Sequence, residues 1–232
     1  MKRTCKNGAV LMQGSYYLYN NLWGANTGSG SQCLWLSPSD SSHIAWGTSW
    51  NWKGQKNTIK SFAAAVLGWH WGWKIANTSL PIQLSSLRSL YSTWSFNLTH
   101  TILGGTNVTY DIWLSKNPHP GEENPTGEVM VWLYKTGDIN PIGSRQNNLI
   151  IQGIEWSLWK GPHPVSGWPV YSFIRTVNTK AITLDLTEFF QCLTSFGLSN
   201  SVYLLGIEAG AEIFTGEGRL DTTHYSVDIE YQ

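Results

Sequence analysis

The segment that decides the fold is Gly127-Glu-Val-Met-Val-Trp-Leu-Tyr134, whose residue types alternate with a period of two. Successive side chains of a β-strand point to opposite faces, so this alternation predicts a strand with two different surfaces. One predicted face is aliphatic and typical of a core: Val129, Val131 and Leu133. The other face combines a carboxyl group, a thioether and two aromatic rings: Glu128, Met130, Trp132 and Tyr134. This mixture is unusual for a solvent-facing surface and indicates the floor of a cleft.

Two further segments place carboxyl groups in the same way. Within 202–214, one predicted face is almost entirely apolar: Tyr203, Leu205, Ile207, Ala209, Ala211 and Ile213. The opposite face alternates glycine with glutamate and ends on an aromatic ring: Gly206, Glu208, Gly210, Glu212 and Phe214. Glycine inside a strand often marks the close approach of a ligand or another backbone. Within 108–114, Asp111 shares a face with Trp113.

The rest of the chain also predicts short strands separated by Gly, Pro, Asn and Ser turns, the pattern of an all-β sandwich or barrel. These strands are predicted over 15–20, 31–37, 43–52, 60–73, 90–99, 148–159, 170–177 and 223–231. One helix is predicted over 184–193, because apolar residues recur there at helical spacing behind a possible Asp185 cap. Residues 115–125, rich in Pro and Gly, are predicted to form one long surface connection.

Composition limits the classes of partner. The 232 residues carry 15 Lys plus Arg against 15 Asp plus Glu, without a basic block, which argues against nucleic acid or an anionic membrane as partner. No apolar run reaches the roughly 18 residues of a membrane span. The N-terminal MKRTCKNG has no apolar region behind it, so no signal peptide is predicted. Without a linker or repeat, residues 1–232 are expected to form a single domain.

Metal and cofactor chemistry is not predicted. Cys5, Cys33 and Cys192 lack zinc-site spacing, the six histidines are scattered, and there is no phosphate-binding or dinucleotide fingerprint. His70 lies within Trp69-His-Trp71 and is interpreted as a hydrogen-bonded residue of a Trp-rich strand rather than a catalytic group.

Paired carboxyl groups beside aromatic rings suit glycoside hydrolysis. One carboxylic acid protonates the leaving oxygen, the second attacks or activates water, and flat rings hold the sugars. With 14 tryptophans and 13% charged residues, the chain fits an uncharged glycan. Three other interpretations stay open: solvated strand glutamates, a non-catalytic glucan-binding module that needs no facing carboxylates, and a structural sandwich, which leaves the aromatic–carboxylate faces unexplained.

The chain resembles glycoside hydrolase family 12, the small β-jelly-roll endoglucanases and xyloglucanases. Five motifs in family order carry the resemblance over nearly the whole chain: Tyr19-Asn-Asn-Leu-Trp-Gly24 with Ser29-Gly-Ser-Gln-Cys33, Gly68-Trp-His-Trp71, Tyr110-Asp-Ile-Trp113, Gly127-Glu-Val-Met-Val-Trp132 and Gly210-Ala-Glu-Ile-Phe-Thr-Gly216. The implied fold is a two-sheet antiparallel jelly-roll sandwich with one short α-helix and an open substrate cleft on its concave face.

The resemblance implies a retaining endo-β-1,4-glucanase with Glu128 as nucleophile and Glu212 as general acid/base. It selects Glu212 rather than Glu208, which strand parity alone leaves equivalent. Their carboxyl groups are expected roughly 5 to 5.5 Å apart. The ionised nucleophile and partial burial are expected to raise the pKa of Glu212. Asp111 is expected to hydrogen-bond near the nucleophile and tune it.

The remaining implied assignments concern substrate and setting. Sugar binding is expected at Asn21, Trp23, Met130 and Trp132, and Trp113 is placed along the same cleft. Cys5 and Cys33 match the family's disulfide. The partner is then a β-glucan polysaccharide, with no metal or cofactor, and the protein is expected to be a secreted, extracellular monomer. A xyloglucan-specific endoglucanase is the alternative, because loops 115–125 and 160–168 decide whether branches fit.

Overall fold

The structure is a computed structural model that describes residues 2–39, 43–76 and 78–232. It consists of two stacked β-sheets. The first has six strands in the order β1-β4-β5-β16-β8-β14. The second has ten, in the order β11-β12-β13-β10-β9-β15-β6-β3-β2, with the short β7 paired to β15. Consecutive strands often lie in different sheets, as in a sandwich wound from one continuous chain.

The strands have the following bounds: β1 Arg3–Thr4, β2 Val10–Gln13, β3 Tyr16–Asn21, β4 Gly28–Leu36, β5 Ile44–Gly54, β6 Ser61–Gly68, β7 Ile82–Gln83, β8 Leu87–Ile102, β9 Thr106–Ser115, β10 Gly127–Thr136, β11 Ser144–Ile151, β12 Ile154–Pro162, β13 Pro169–Arg175, β14 Ala181–Asp185, β15 Tyr203–Ile213 and β16 Gly216–Tyr231. The α-helix α1 covers Thr187–Leu193. Short 3₁₀ turns cover Ala25–Thr27, Leu84–Ser86 and Thr194–Phe196.

The main hydrophobic core lies between the sheets. On β10 it takes the predicted aliphatic face, Val129, Val131 and Leu133, all fully buried. On β9 it takes Val108, Tyr110, Ile112 and Leu114. Because these residues occupy alternate positions, the residues between them face the other side of the ten-stranded sheet. The all-β, two-sheet prediction with one short helix is therefore confirmed.

Four element predictions need correction. The predicted strand 148–159 is a hairpin that turns at Gln152 and Gly153, both with positive φ. The predicted strand 60–73 ends at Gly68, where the chain turns away from the sheet. The helix begins at Thr187, because residues 181–185 pair with β8 as strand β14. The strand predicted over 223–231 already begins at Gly216.

Two β-bulges also change predicted faces, because an extra residue reverses the alternation. The pairing of β10 with β9 shifts between Trp132 and Tyr134, and Tyr134 packs against the main core instead of the cleft side. The pairing of β15 with β9 shifts between Leu204 and Gly206. Leu204 therefore enters the main core, whereas Leu205 joins the cluster on the opposite face.

One strand pair departs from an antiparallel sheet. β10 and β13 run parallel, with Glu128 opposite Val170 and Met130 opposite Ser172. This pairing brings the segment that precedes β13 alongside the start of β10. Elsewhere, Cys5 and Cys33 form a disulfide that joins the N-terminal segment to β4. No helix among the described residues has the length and apolar character needed to span a membrane.

Candidate active site

Four carboxyl groups lie on one surface, which we call the carboxyl face: the side of the ten-stranded sheet that faces away from the six-stranded sheet, marked by Asp111, Glu128, Glu208 and Glu212. They come from three adjacent strands, β10, β9 and β15. The register pairs Asp111 with both Met130 and Glu208, so these three form one row across the strands. The parity that predicted carboxylates on one surface of three strands therefore matches the structure.

Glu128 is almost completely buried, with 5% of its surface exposed. Its Oε2 accepts a hydrogen bond of 2.8 Å from the indole Nε1 of Trp168. Trp168 precedes β13, and the parallel pairing of β13 with β10 brings its ring to this carboxyl group. An N–H donor stabilises the ionised form of a carboxyl group, so Trp168 favours Glu128 as a carboxylate.

The side chain of one asparagine, Asn107, hydrogen-bonds to both the backbone and the side chain of Glu212. Asn107 lies directly opposite Glu212 in the pairing of β9 with β15. The Asn107 Nδ2 donates to Glu212 Oε2 at 2.5 Å, and Asn107 Oδ1 accepts from the Glu212 backbone N–H at 3.2 Å. Asn107 is fully buried, so this amide is fixed in place. Glu212 itself stays partly exposed on the carboxyl face.

The pKa values of both glutamates are raised. Burial is the main cause for Glu128, whose pKa rises to about 8; the Trp168 hydrogen bond lowers it, and the charges of Glu212 and Glu208 raise it. Burial also raises the pKa of Glu212 to about 7, against the lowering effect of the Asn107 hydrogen bond. The repulsion expected to act on Glu212 is therefore found on Glu128. Like charges in one site oppose joint ionisation, so ionisation of one glutamate favours the protonated form of the other.

The two glutamates lie at opposite ends of the β9 segment between them. Glu128 is paired with Trp113, and Glu212 is paired with Asn107, six positions earlier on β9. They therefore lie in different rows of the carboxyl face, and the charge of Glu212 acts on Glu128 from the far side of β9.

Asp111 lies between these rows and is 6% exposed. Its Oδ1 has no hydrogen-bond partner among the described residues. Burial, followed by the charges of Glu128, Glu208 and Glu212, raises its pKa well above the usual range. Asp111 is thus a buried neighbour of Glu128 whose ionisation is disfavoured, and its role in tuning the nucleophile stays a prediction.

Glu208 takes part in a second polar cluster on the same face. Its Oε1 lies 2.6 Å from Nδ1 of His70 and accepts a 2.8 Å hydrogen bond from the indole of Trp113. The interpretation of His70 as a hydrogen-bonded residue agrees with this contact, but His70 lies in a turn rather than a strand. Burial lowers the pKa of His70, and the charge and hydrogen bond of Glu208 outweigh burial to raise it overall.

The turn that carries His70 is built tightly. His70 and Trp73 exchange two backbone hydrogen bonds of 2.9 and 3.0 Å. Between them, Trp71 and Gly72 have φ values of 40° and 84°, the left-handed pair that a two-residue hairpin needs. Outside the sheet, the Trp69 indole donates to the Gly121 carbonyl at 2.7 Å. The turn therefore joins the sheet to the 116–126 connection.

The predicted sugar-binding side chains differ greatly in exposure. Trp23 is 59% exposed, and its backbone N–H is held by Asn21 Oδ1 at 3.2 Å. Met130, Trp132 and Trp113 are 5%, 2% and 7% exposed. Those three belong to one apolar cluster on the carboxyl face. Among the predicted sugar-binding side chains, Trp23 offers a broad free ring, whereas Met130, Trp132 and Trp113 are almost fully buried in that cluster.

Sequence reasoning missed Trp168 and Asn107. Asn107 shares its parity with Asp111 and Trp113, so the alternation of β9 contained the signal. Trp168 lies outside any strand, and its position depends on the parallel pairing of β13, which no local pattern indicates. Trp71 packs edge-on against Trp113 with ring centroids 4.9 Å apart. Its position depends on the 69–73 turn, which the local pattern does not indicate either.

Comparison with known proteins gives consistent matches along the whole chain. A family model described as Glycosyl hydrolase family 12 matches residues 14–230. The xyloglucan-specific endo-beta-1,4-glucanase A of Aspergillus niger is 37% identical over 232 residues, covering 97% of this chain and 90% of that protein. Endoglucanase S of Pectobacterium parmentieri is 33% identical over 224 residues, covering 93% and 82%. The crystal structure of Trichoderma harzianum endoglucanase 3 superposes with a TM-score of 0.89 at 30% identity, covering 99% and 97%.

Proposed function

The chain belongs to glycosyl hydrolase family 12, and we propose that it cleaves internal β-1,4-glucosidic bonds with Glu128 as nucleophile and Glu212 as general acid/base. It is thus a retaining endo-β-1,4-glucanase. The observation that supports the two roles is the pair of carboxyl groups on one face, Glu128 buried and Glu212 partly exposed, held by N–H donors from Trp168 and from Asn107.

The reaction proceeds by double displacement. Glu212 protonates the glycosidic oxygen while the carboxylate of Glu128 attacks the anomeric carbon from the opposite side. The aglycone departs and a covalent glycosyl ester on Glu128 remains. Glu212, now ionised, removes a proton from water, which attacks the anomeric carbon, breaks its bond to Glu128 and releases the sugar with its original anomeric configuration.

The order of the two pKa values bears on this mechanism. The pKa of Glu128 is about 8 and that of Glu212 is about 7, whereas the reaction needs Glu128 ionised and Glu212 protonated. A bound glycosidic oxygen accepts a hydrogen bond from the protonated form of Glu212 and so raises its pKa. We therefore assign substrate binding as the step that establishes the reactive order.

Substitution of each carboxyl group tests the proposal. Glu128→Gln and Glu212→Gln should each lower reducing-sugar release from β-glucan by at least about a thousandfold, because each removes a reacting group. Oligosaccharide binding should persist. The control is Glu217→Gln, which removes an exposed carboxyl group bonded to Asn51 on the other sheet. Wild-type protein that binds glucan without cutting it would instead support a binding module.

Substrate preference between unbranched β-glucan and xyloglucan is a second question. One related protein is named xyloglucan-specific and another is named simply an endoglucanase. We propose broad β-glucan activity. Parallel product analysis on carboxymethylcellulose, mixed-linkage β-glucan and xyloglucan is the test, and activity confined to xyloglucan would overturn it.

The setting follows from the substrate and the disulfide. A polymeric substrate lies outside cells, and the Cys5–Cys33 bridge persists in an oxidising environment. We propose that the protein acts extracellularly as a monomer and single domain. Light scattering of the purified protein checks the oligomeric state.

A further inference from the structure

The cluster of His70, Glu208 and Trp113 is not used by the two-step reaction, although it lies on the carboxyl face. Glu208 is 1% exposed, and the His70 side chain is 15% exposed. A buried carboxylate is costly unless it is paired and hydrogen-bonded. Here one oxygen, Oε1, receives both the imidazole and the indole N–H. In the described parts of the chain, no other cationic side chain is within ion-pair distance of Glu208.

The charge on this cluster is close to the reacting groups. Glu208 is the cross-strand neighbour of Asp111, which is in turn paired with Met130 of the nucleophile strand. Its charge raises the pKa of both Asp111 and Glu128. The indole of Trp113, fixed by Glu208, lies opposite Glu128 in the pairing of β9 with β10. The cluster is thus coupled to Glu128 by charge and by packing.

The other titratable groups around Glu208 are all acidic or phenolic. β9 contributes Asp111, β10 contributes Glu128, and β15 itself contributes Glu212. β3 contributes Tyr17 and Tyr19, whose pKa values are raised by burial and then by Glu208. The Tyr19 ring also lies 4.7 Å from the His70 ring. His70 is therefore the group of this cluster that can carry a positive charge.

We propose that the His70–Glu208 pair is a positioning and charge-setting element for Glu128: it fixes the Trp113 indole beside the nucleophile, and protonated His70 cancels the negative charge that Glu208 would otherwise direct at Glu128. Neither residue touches the reacting atoms in this role. The proposal rests on Glu128 being the nucleophile.

The direction in which each variant shifts the pH profile follows from the charge that the substitution removes. The acidic limb of the kcat profile reports ionisation of the nucleophile in the enzyme–substrate complex, where substrate binding has established the reactive order. Glu208→Gln removes a negative charge near Glu128, so the limb should move to lower pH. His70→Gln removes the balancing positive charge, so the limb should move to higher pH. Each shift should be roughly 0.5 to 1 pH unit for charges at this separation. In the double variant the pair is neutral, and the limb should return close to its wild-type position.

The experiment measures pH profiles of kcat on saturating mixed-linkage β-glucan for the wild type, both single variants and the double variant. Glu217→Gln, on the other sheet, is the charge-removal control and should leave the limb in place. Thermal melts at each pH show that the variants are folded. If His70→Gln is too unstable to assay, Glu208→Gln and the double variant still test the shift and its reversal.

A second measurement isolates the pair itself. Imidazole NMR should give His70 a pKa above 6.5 in the wild type and a lower value in Glu208→Gln. Opposite limb shifts that cancel in the double variant support the proposal. Shifts in the same direction, or none in folded variants, overturn it. If the proposed function itself is wrong, Glu128→Gln should stay active. That result separates a failure of the proposed function from a failure of the His70–Glu208 proposal.

Discussion

At the residue scale, Trp168 provides the sharpest test of how the site controls Glu128. Trp168→Phe keeps an aromatic ring but removes the Nε1–H donor 2.8 Å from Glu128 Oε2. A hydrogen bond to a charged group contributes about 1.5–3 kcal/mol, so kcat/KM should fall at least about tenfold. The donor lowers the pKa of Glu128, and its loss should therefore move the acidic limb to higher pH. Steady-state kinetics across pH measures both effects.

The matched control is Trp156→Phe. Trp156 is fully buried in the main core, and its Nε1 has no partner among the described residues. This variant loses the same atoms without losing a hydrogen bond to a carboxylate. Its stability should fall while its pH profile stays unchanged. Equal profiles for both variants would show that the Trp168 donor does not act on Glu128.

The raised pKa of Glu128 also predicts how stability depends on pH. The folded state, with a pKa of about 8, holds this proton more tightly than an unfolded chain, where the value is 4.5. Ionisation therefore favours the unfolded state, and Glu128 lowers stability progressively as pH rises from about 4.5 to 8. Glu128→Gln should be more stable than the wild type at pH 8, by on the order of 2–4 kcal/mol. The gain should nearly vanish at pH 4.

Urea unfolding at the two pH values measures this difference. The burial argument would be contradicted if the stability difference between Glu128→Gln and the wild type were the same at pH 8 as at pH 4. Such a result would mean that the carboxylate is well solvated or well paired in the folded protein.

At the scale of elements, the glycines of β15 decide how closely the 69–73 turn approaches the sheet. A Cβ on Gly206 would lie 2.4 Å from the backbone oxygen of Trp69, so either the turn or the strand would have to move. Gly206→Ala should cost about 1–3 kcal/mol and lower kcat/KM by about tenfold to a hundredfold, because His70 and Trp71 move with the turn. Thermal melts and kinetics measure the two effects.

Gly127→Ala is the control for this substitution. Gly127 also lies in a strand of the same sheet, but its added Cβ would meet Leu114 Cβ at an ordinary 3.6 Å. This variant should fold and retain most of its activity. Comparable losses in both variants would show that any added methyl group disturbs the site, whatever its distance from the turn.

Strand alternation explains how much of these elements the sequence could predict. The aliphatic face of β10 and the carboxyl positions follow from a period of two, because one face is buried between the sheets. Tyr134 and Leu205 escape that rule because bulges next to them insert a residue. A bulge depends on the partner strand, which a single segment does not reveal. The turn at residues 152–153 was missed for a related reason, since apolar residues continue on both sides of it.

At the scale of the whole molecule, the Cys5–Cys33 disulfide ties the N-terminal segment to the six-stranded sheet, away from the carboxyl face. It closes a chain segment with a sequence separation of 28. Cys5→Ser/Cys33→Ser should therefore lower the free energy of unfolding by about 2–4 kcal/mol, with kcat at 25 °C nearly unchanged. Calorimetry and steady-state assays provide the two values, and Cys192→Ser, at a free cysteine on α1, is the control. A large loss of kcat in the folded double variant would mean that the bridge also supports the site.

The site as a whole depends on long-range pairing that local patterns do not contain. Its carboxyl groups were predictable because each lies within a strand of clear parity. Trp168 reaches Glu128 through a parallel pairing of strands about 40 positions apart in the chain. The His70 turn reaches Glu208 across a separation of 138 residues. The positions of Trp168 and His70, the proposed tuning residues, are thus set by topology, whereas the proposed reacting carboxyl groups are visible in the sequence.

The most direct test of the central assignment is covalent trapping of the nucleophile. A 2-deoxy-2-fluoro cello-oligosaccharide with an activated leaving group should form a stable ester, because the fluorine slows both steps and the activated leaving group restores the rate of ester formation alone. Peptide mapping by mass spectrometry should then find one added glycosyl group on the peptide that contains Glu128, and the Glu128→Gln variant should remain unlabelled. Labelling of Glu212 or Glu208, or an active enzyme that forms no ester and releases the inverted anomer, would contradict the account.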